Sequence, residues 1–160
     1  MTTAPLNTEH NHKNCIEQAI INAKELCNKK EIRLTPLRRH VLEIIWYSHC
    51  PIGAYSIMDK LSELEKRHTA PPTVYRALDF LIEHGLVHRI SSINAFIGCE
   101  QPHKAHSGQF LLCKVCNVVH EFDSLEIDNA IATVAKKSGF SLQKQTVEIL
   151  GICSNCQNAN

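Results

Sequence analysis

The sequence predicts an α+β fold in two parts: a helical N-terminal half closed by a β-hairpin, then a small strand-rich half built on a tetrahedral metal site. Three observations predict it. Cys113-Lys-Val-Cys116 and Cys153-Ser-Asn-Cys156 are two Cys-x-x-Cys knuckles separated by 36 residues. Apolar residues recur at helical spacing in successive stretches up to Gly85, and two short strand-like runs follow. Around the knuckles the pattern changes to short apolar strands with one amphipathic helix between them.

Each knuckle sets two sulfurs close together on a tight turn, so the pair supplies Cys113, Cys116, Cys153 and Cys156 as a closed four-thiolate zinc shell. No position remains for an activated water, which makes this a structural zinc. A redox Cys-x-x-Cys opens a helix after a strand, and two of them in one small domain would be unusual.

Along the chain, residues 1–13 read as a disordered tail in which His10 and His12 are spectators. Asn14 to Lys30 forms a helix, with Ile16, Ala19, Ile20, Ala23, Leu26 and Cys27 on one stripe. Thr35-Pro36 opens a second: threonine caps, and proline sits where its missing N–H does no harm. Leu37, Val41, Ile44 and Ile45 carry it to about Ser48. Pro51-Ile52-Gly53 is a connector. Tyr55 to Lys66 is a third helix, with Ile57, Met58, Leu61 and Leu64 inward. Pro71-Pro72-Thr73 opens a fourth that buries Val74, Ala77, Leu78 and Leu81, and Gly85 stops it in the left-handed conformation glycine favours. Leu86–Ile90 and Asn94–Ile97 make the hairpin, so residues 14–99 form one domain and residues 100–107 a linker.

Residues 108–160 form the second domain. Gln109–Leu112 and Val118–Phe122 are strands flanking the first knuckle. Asp123 or Ser124 caps a helix with the stripe Ile127, Ile131, Val134, stopped by Gly139. Ser141–Leu150 has strand character and leads to the second knuckle.

Helices followed by a hairpin have the layout of a winged helix-turn-helix, whose last helix enters the major groove. Burying Val74, Ala77, Leu78 and Leu81 turns Tyr75, Arg76, Asp79 and Glu83 outward. Arg76 can then pair with guanine O6 and N7, Tyr75 can meet a phosphate or a thymine methyl, and Arg38, Arg39, Lys60 and Arg89 can reach phosphates. On pattern alone these are equally ordinary solvated charges. The net charge of +1 is neutral on the question, so any basic surface is a local patch.

Arg33-Leu-Thr-Pro-Leu-Arg38 and Pro71-Pro-Thr-Val-Tyr-Arg-Ala-Leu-Asp-Phe-Leu81, with the two knuckles, resemble the signatures of the ferric-uptake-regulator (Fur) superfamily, from about residue 14 to 156. Within it, the chain is most similar to the zinc-uptake branch. The resemblance implies a homodimeric, metal-dependent transcriptional repressor that binds palindromic operator DNA, with an N-terminal winged helix-turn-helix domain and an α/β dimerisation domain carrying the four-cysteine zinc. It implies that Tyr55 and Arg76 read bases and places Thr73, Tyr75, Arg38 and Arg89 among the DNA contacts.

His88, Cys99, His106 and Glu121 remain for a second site. Taken alone, Cys99 is as readily a buried core thiol. The resemblance implies that these four hold a regulatory zinc, which makes two Zn²⁺ per monomer. Two imidazoles, a thiolate and a carboxylate also suit Zn²⁺, whereas an iron or manganese sensor favours nitrogen and oxygen donors. Phe110 stands where iron-type members carry a metal-binding histidine, and His103 and His120 are read as solvated.

An enzyme is not expected. A zinc deaminase needs His-x-Glu and Pro-Cys-x-x-Cys, whereas His120 and Glu121 are adjacent and Leu112 and Ile152 precede the knuckles. There is no phosphate loop, and no small-molecule substrate or membrane partner is expected. With eight cysteines and no apolar leader, a reducing cytoplasm is the expected location.

Overall fold

A computed structural model describes residues 12–47, 50–104 and 106–158. Residues 1–11 of the expected tail, with His10, lie outside the described residues, as do Ser48 and the linker residue Ala105. His12 and Lys13, expected in the tail, belong to the first helix.

That helix, α1 (His12–Lys29), buries Ala19, Ile20, Ala23, Leu26 and Cys27. α2 (Pro36–Trp46) starts where the Thr35 side chain accepts a hydrogen bond from the Arg38 N–H, with proline in the first turn. It buries Val41, Leu42, Ile44 and Ile45. The expected connector contains a two-residue strand, β1 (Ile52–Gly53), then α3 (Ala54–Glu65). Ile57, Met58 and Leu61 point inward as expected, but Leu64 is 54% exposed. Its stripe runs out in the last turn, where Lys66 at φ 52° turns the chain away. α4 (Pro71–Glu83) buries Val74, Ala77, Leu78 and Leu81, and also Phe80. Gly85 at φ 69° ends it, and the Leu86 N–H returns to Leu81 O at 2.8 Å.

β2 (Val87–Ile90), a 3-10 turn at Ser91–Ile93 and β3 (Ala95–Gly98) form the hairpin. β1 pairs with β3, so the wing is a three-stranded antiparallel sheet of order β1-β3-β2. One core joins α1 to α4 with Leu86, Val87 and Phe96 of the wing.

The second half is β4 (Gly108–Cys113), β5 (Val119–Phe122), α5 (Leu125–Lys137), β6 (Thr146–Gly151) and the short α6 (Ser154–Gln157). Its sheet has the order β5-β4-β6, with β4–β5 antiparallel and β4–β6 parallel. Ser124 is the α5 cap, accepting from the Ile127 N–H at 3.4 Å. Glu126 receives the Ser124 hydroxyl at 2.8 Å instead of closing a capping box from Asp123. No residue of α5 is buried, and Leu125, Val134, Phe140, Leu142, Ile149 and Leu150 are exposed apolar residues of this half.

The wing rests on this second sheet. Ile90, fully buried, packs with Phe110, Leu112 and Val119, and Ile97 closes the cluster. At the other end of β3, a Cβ on Gly98 would overlap the Trp46 indole. Gly98→Ala is therefore expected to lower the unfolding free energy by about 1–3 kcal/mol through overpacking, measured by urea denaturation. A change below about 0.5 kcal/mol would mean that the indole moves aside freely.

Candidate metal centres and DNA-facing helix

β4 ends on Cys113, and the parallel ladder sets Cys113 beside Gly151, so the chain leaving β6 brings Cys153 straight back to the first knuckle. The first knuckle is closed by the Asn117 N–H donating to Cys113 O at 2.9 Å, with Asn117 at φ 59°. Asparagine tolerates that conformation. Cys153 caps α6, and Cys156 follows within its single turn. The four Sγ atoms lie within 4.8 Å of one another. Cys116 Sγ is 3.7 Å from Cys153 Sγ, and the Cys153 N–H donates to Cys113 Sγ at 3.3 Å.

Backbone N–H groups of Cys153 and Cys116 pull the Cys113 thiol down to about 6. Hydrogen bonding with Cys153 and Cys116 pushes Cys156 up to about 12. Cys113 thus ionises readily, while hydrogen bonding among the neighbouring sulfurs raises Cys156. Four thiolates at this spacing require a cation, and a closed shell of four sulfurs suits Zn²⁺.

The second group draws on both halves of the chain. His88 lies on β2, Cys99 follows β3, His106 precedes β4 and Glu121 lies on β5. Their donor atoms also lie within 4.8 Å of one another. His106 Nε2 is 2.8 Å from Glu121 Oε1, 3.2 Å from His88 Nε2 and 3.5 Å from Cys99 Sγ. His88 Nε2 is 2.8 Å from the same Glu121 oxygen.

His106 Nδ1 lies 2.8 Å from the Lys104 carbonyl. A carbonyl only accepts, so Nδ1 carries the proton and Nε2 turns its lone pair to the other donors. The His88 ring is braced edge-on against Phe110, with centroids 5.2 Å apart. Burial and then the nearby Glu121 charge push the Cys99 thiol up to about 12. Burial works to raise the Glu121 carboxyl, but hydrogen bonding from His88 and the charges of His88 and His106 outweigh it and hold it below the usual range. Two imidazole nitrogens, a buried sulfur and an ionised carboxylate converging on one point can hold a borderline-soft cation. His103 is exposed, His120 faces away beside Leu111, and neither joins a donor group among the described residues. Phe110, noted in the sequence only for the histidine it replaces, is the platform beneath His88; its place opposite Glu121 in the strand register is a long-range fact that spacing alone does not carry.

Residues 29–150 match the Ferric uptake regulator family. The chain belongs to the ferric uptake regulator family. The zinc uptake regulation protein of Escherichia coli (strain K12) is 35% identical over 147 residues, covering 90% of this chain and 84% of that protein. A solved structure of a zinc uptake regulator complexed with zinc and DNA is 33% identical, covers 94% of this chain and 98% of that one, and superposes with a TM-score of 0.84. Holo XcZur is 38% identical over 89% of this chain and 99% of its own, with a TM-score of 0.82. The apo form of XcZur, covering 89% and 97%, superposes at only 0.52.

Of the residues expected to contact DNA, Thr73, Tyr75 and Arg76 are exposed on α4, and Tyr55 on α3 is 76% exposed. Arg89 is exposed on the wing and donates to Asn94 Oδ1 at 2.8 Å. Arg38 is only half-exposed: its guanidinium lies 3.5 Å over the Phe80 ring and donates to Arg33 O at 2.6 Å, which braces α2 against α4. Arg39 pairs with Glu43 at 2.8 Å, and Lys60 lies 5.3 Å over the Tyr47 ring.

The Phe110 ring carries both the Ile90 cluster and His88. Phe110→Ala is expected to cost about 3–5 kcal/mol of stability, measured by chemical denaturation. A loss below about 1 kcal/mol would show that the ring anchors neither.

Proposed function

We propose that this chain is a zinc-responsive transcriptional repressor that binds operator DNA as a homodimer in the cytoplasm and controls zinc uptake. The observation that carries this reading is the convergence of His88, Cys99, His106 and Glu121, two donors from the wing and two from beyond it. Cys99 favours Zn²⁺ over iron in that set. The marked difference between the holo and apo forms of XcZur, at near-equal identity to this chain, supports a metal-coupled change of arrangement.

Two zinc ions are assigned per chain. Cys113, Cys116, Cys153 and Cys156 hold the structural one within the second domain (residues 108–160). His88, Cys99, His106 and Glu121 hold the regulatory one across the linker (residues 100–107). Bound Zn²⁺ supplies positive charge that allows Cys99 to be a thiolate beside an ionised Glu121. The chain then fixes the winged-helix domain (residues 14–99) against the dimerisation domain. The exposed apolar side chains of α5 and β6 suit burial against a second copy. In such a dimer two α4 helices are held at one separation, as required to meet half-sites about one helical turn apart or a multiple of it. Tyr55 and Arg76 face the bases, Thr73 and Tyr75 lie among the DNA contacts, and Arg89 faces phosphate, while Arg38, engaged on Phe80 and Arg33, holds α2 in place beside them. No helix among the described residues is long and apolar enough to cross a membrane.

Cys99→Ser keeps the volume and removes the thiolate. Loss of even an outer-shell partner costs about 10–100-fold in metal affinity, so the free zinc needed for half-maximal operator binding is expected to rise at least that much, read by fluorescence anisotropy. An unchanged zinc midpoint would remove Cys99 from the site. Arg76→Ala is expected to lose about 1–3 kcal/mol of discrimination between operator and scrambled DNA while two zinc ions per chain are retained. Equal losses on both DNA sequences would make Arg76 a phosphate contact.

A further inference from the structure

The sheet register puts Phe110 of β4 opposite Glu121 of β5 on one side and opposite Glu148 of β6 on the other. Glu121, Phe110 and Glu148 therefore form one row across the sheet, and residues paired across neighbouring strands share a face. The wing lies along that row. His88 meets Glu121 and Phe110, Ile90 is buried against Phe110, and the wing tip reaches Glu148.

The last contact is specific. The Ser91 N–H donates to Glu148 Oε1 at 2.7 Å and the Ser92 N–H donates to Glu148 Oε2 at 2.9 Å. Both carboxylate oxygens are used, each on a different backbone donor. These two N–H groups open the 3-10 turn that joins β2 to β3, so the turn itself does not satisfy them. Burial works to raise the Glu148 carboxyl, but donation from Ser92 and Ser91 outweighs it and holds it below its usual range. It is therefore ionised at neutral pH. The donors and the acceptor are 56 and 57 residues apart and belong to different halves of the chain.

We propose that Glu148 is a positioning residue that latches the tip of the DNA-binding wing to the dimerisation sheet, a contact made without metal that favours the same arrangement as the His88, Cys99, His106 and Glu121 centre. The latch lies at the far end of the row from Glu121, with Phe110 between them. Two separated points fix the rotation of the wing on the sheet, which one point leaves free. The proposal rests on the zinc-dependent reading above for its effect on DNA, but not for the contact itself. Ser91 donates through its backbone, so the latch tolerates other side chains there, whereas the Ser92 hydroxyl adds to the backbone donation that holds the carboxylate.

The test compares operator affinity with saturating zinc and with the regulatory zinc removed by mild chelation, using the full-length dimer. Removing a negative charge near DNA shifts both affinities alike, whereas losing the latch weakens the zinc-free affinity more and so raises the ratio of zinc-loaded to zinc-free affinity. Glu148→Ala is expected to raise the ratio about fivefold, the modest end of hydrogen bonds to a charged group because this one is partly exposed. Glu148→Gln, which keeps a neutral acceptor, is expected to fall between the wild type and Glu148→Ala. An unchanged ratio in Glu148→Ala overturns the proposal.

A second measurement needs neither DNA nor a folded variant. In the wild-type zinc-loaded protein, the Ser91 and Ser92 amides are expected to show slowed hydrogen exchange by NMR, and exchange at unprotected rates overturns the latch. If wild-type operator binding proves independent of zinc, the proposed function fails, while amide protection still reads the contact.

Discussion

The arrangement of this protein depends on four side chains turning their lone pairs to one point. His106 Nε2 lies within 3.5 Å of an oxygen, a nitrogen and a sulfur, yet its ring proton is engaged on the Lys104 carbonyl. One or two shared protons serve such a cluster poorly: the thiol is driven upward by burial and by the Glu121 charge, and the carboxylate is held ionised by the imidazoles. A divalent cation relieves every one of these conflicts at once, because it accepts from all four donors and neutralises the two that are anionic. In the proposed reading, the centre makes the closed arrangement conditional on a small positive ion.

The two donor groups differ in reach, and that difference divides their work in the proposed reading. Cys113, Cys116, Cys153 and Cys156 all sit at the end of the parallel β4–β6 pair, inside one half of the chain. That half has a small core of its own, in which Phe110, Leu112 and Val119 cluster beside Ile90 of the wing, so an internal cross-link suits it. The other group takes His88 and Cys99 from the wing and its exit, and His106 and Glu121 from beyond it. Filling it changes how two parts meet, not whether either part folds.

What the sequence revealed follows from how local each signal is. The thiolate knuckles are legible because two residues between cysteines fix the turn. The Thr35-Pro36 start of α2 and the Gly85 stop of α4 are legible because caps act within one turn. Strand β1 and helix α6, at two and four residues, are too short to carry a period. The hydrophobic stripe of α5 reads correctly as a stripe, but periodicity does not say what covers it, and no α5 residue is buried within this chain. His88, Cys99, His106 and Glu121 were reached by resemblance, since nothing in their spacing marks them as neighbours. Glu148 lay beyond both routes. In the sequence it is one acidic residue in an otherwise apolar strand, and its meaning depends on a parallel register with β4.

The wing meets the sheet through three contacts of different chemistry, and this sets how sharply a metal can act. Burying Ile90 favours contact by roughly 1.5–3 kcal/mol whatever the metal content. The Glu148 carboxylate adds a smaller hydrogen-bonding contribution. Against them stand the lost rotational freedom of the linker and the crowding of four donors. In the proposed reading, opposing contributions of this size leave a closed and an open arrangement within about a few kcal/mol of each other. Inverting a 1:99 population takes about 5.5 kcal/mol of differential affinity. A cation that finds four donors in one arrangement and at most two in the other can supply that difference. Without the apolar and carboxylate contacts, much of the binding energy of the metal would go into closing the molecule. With far stronger ones, the molecule would be closed at every zinc concentration and would sense nothing.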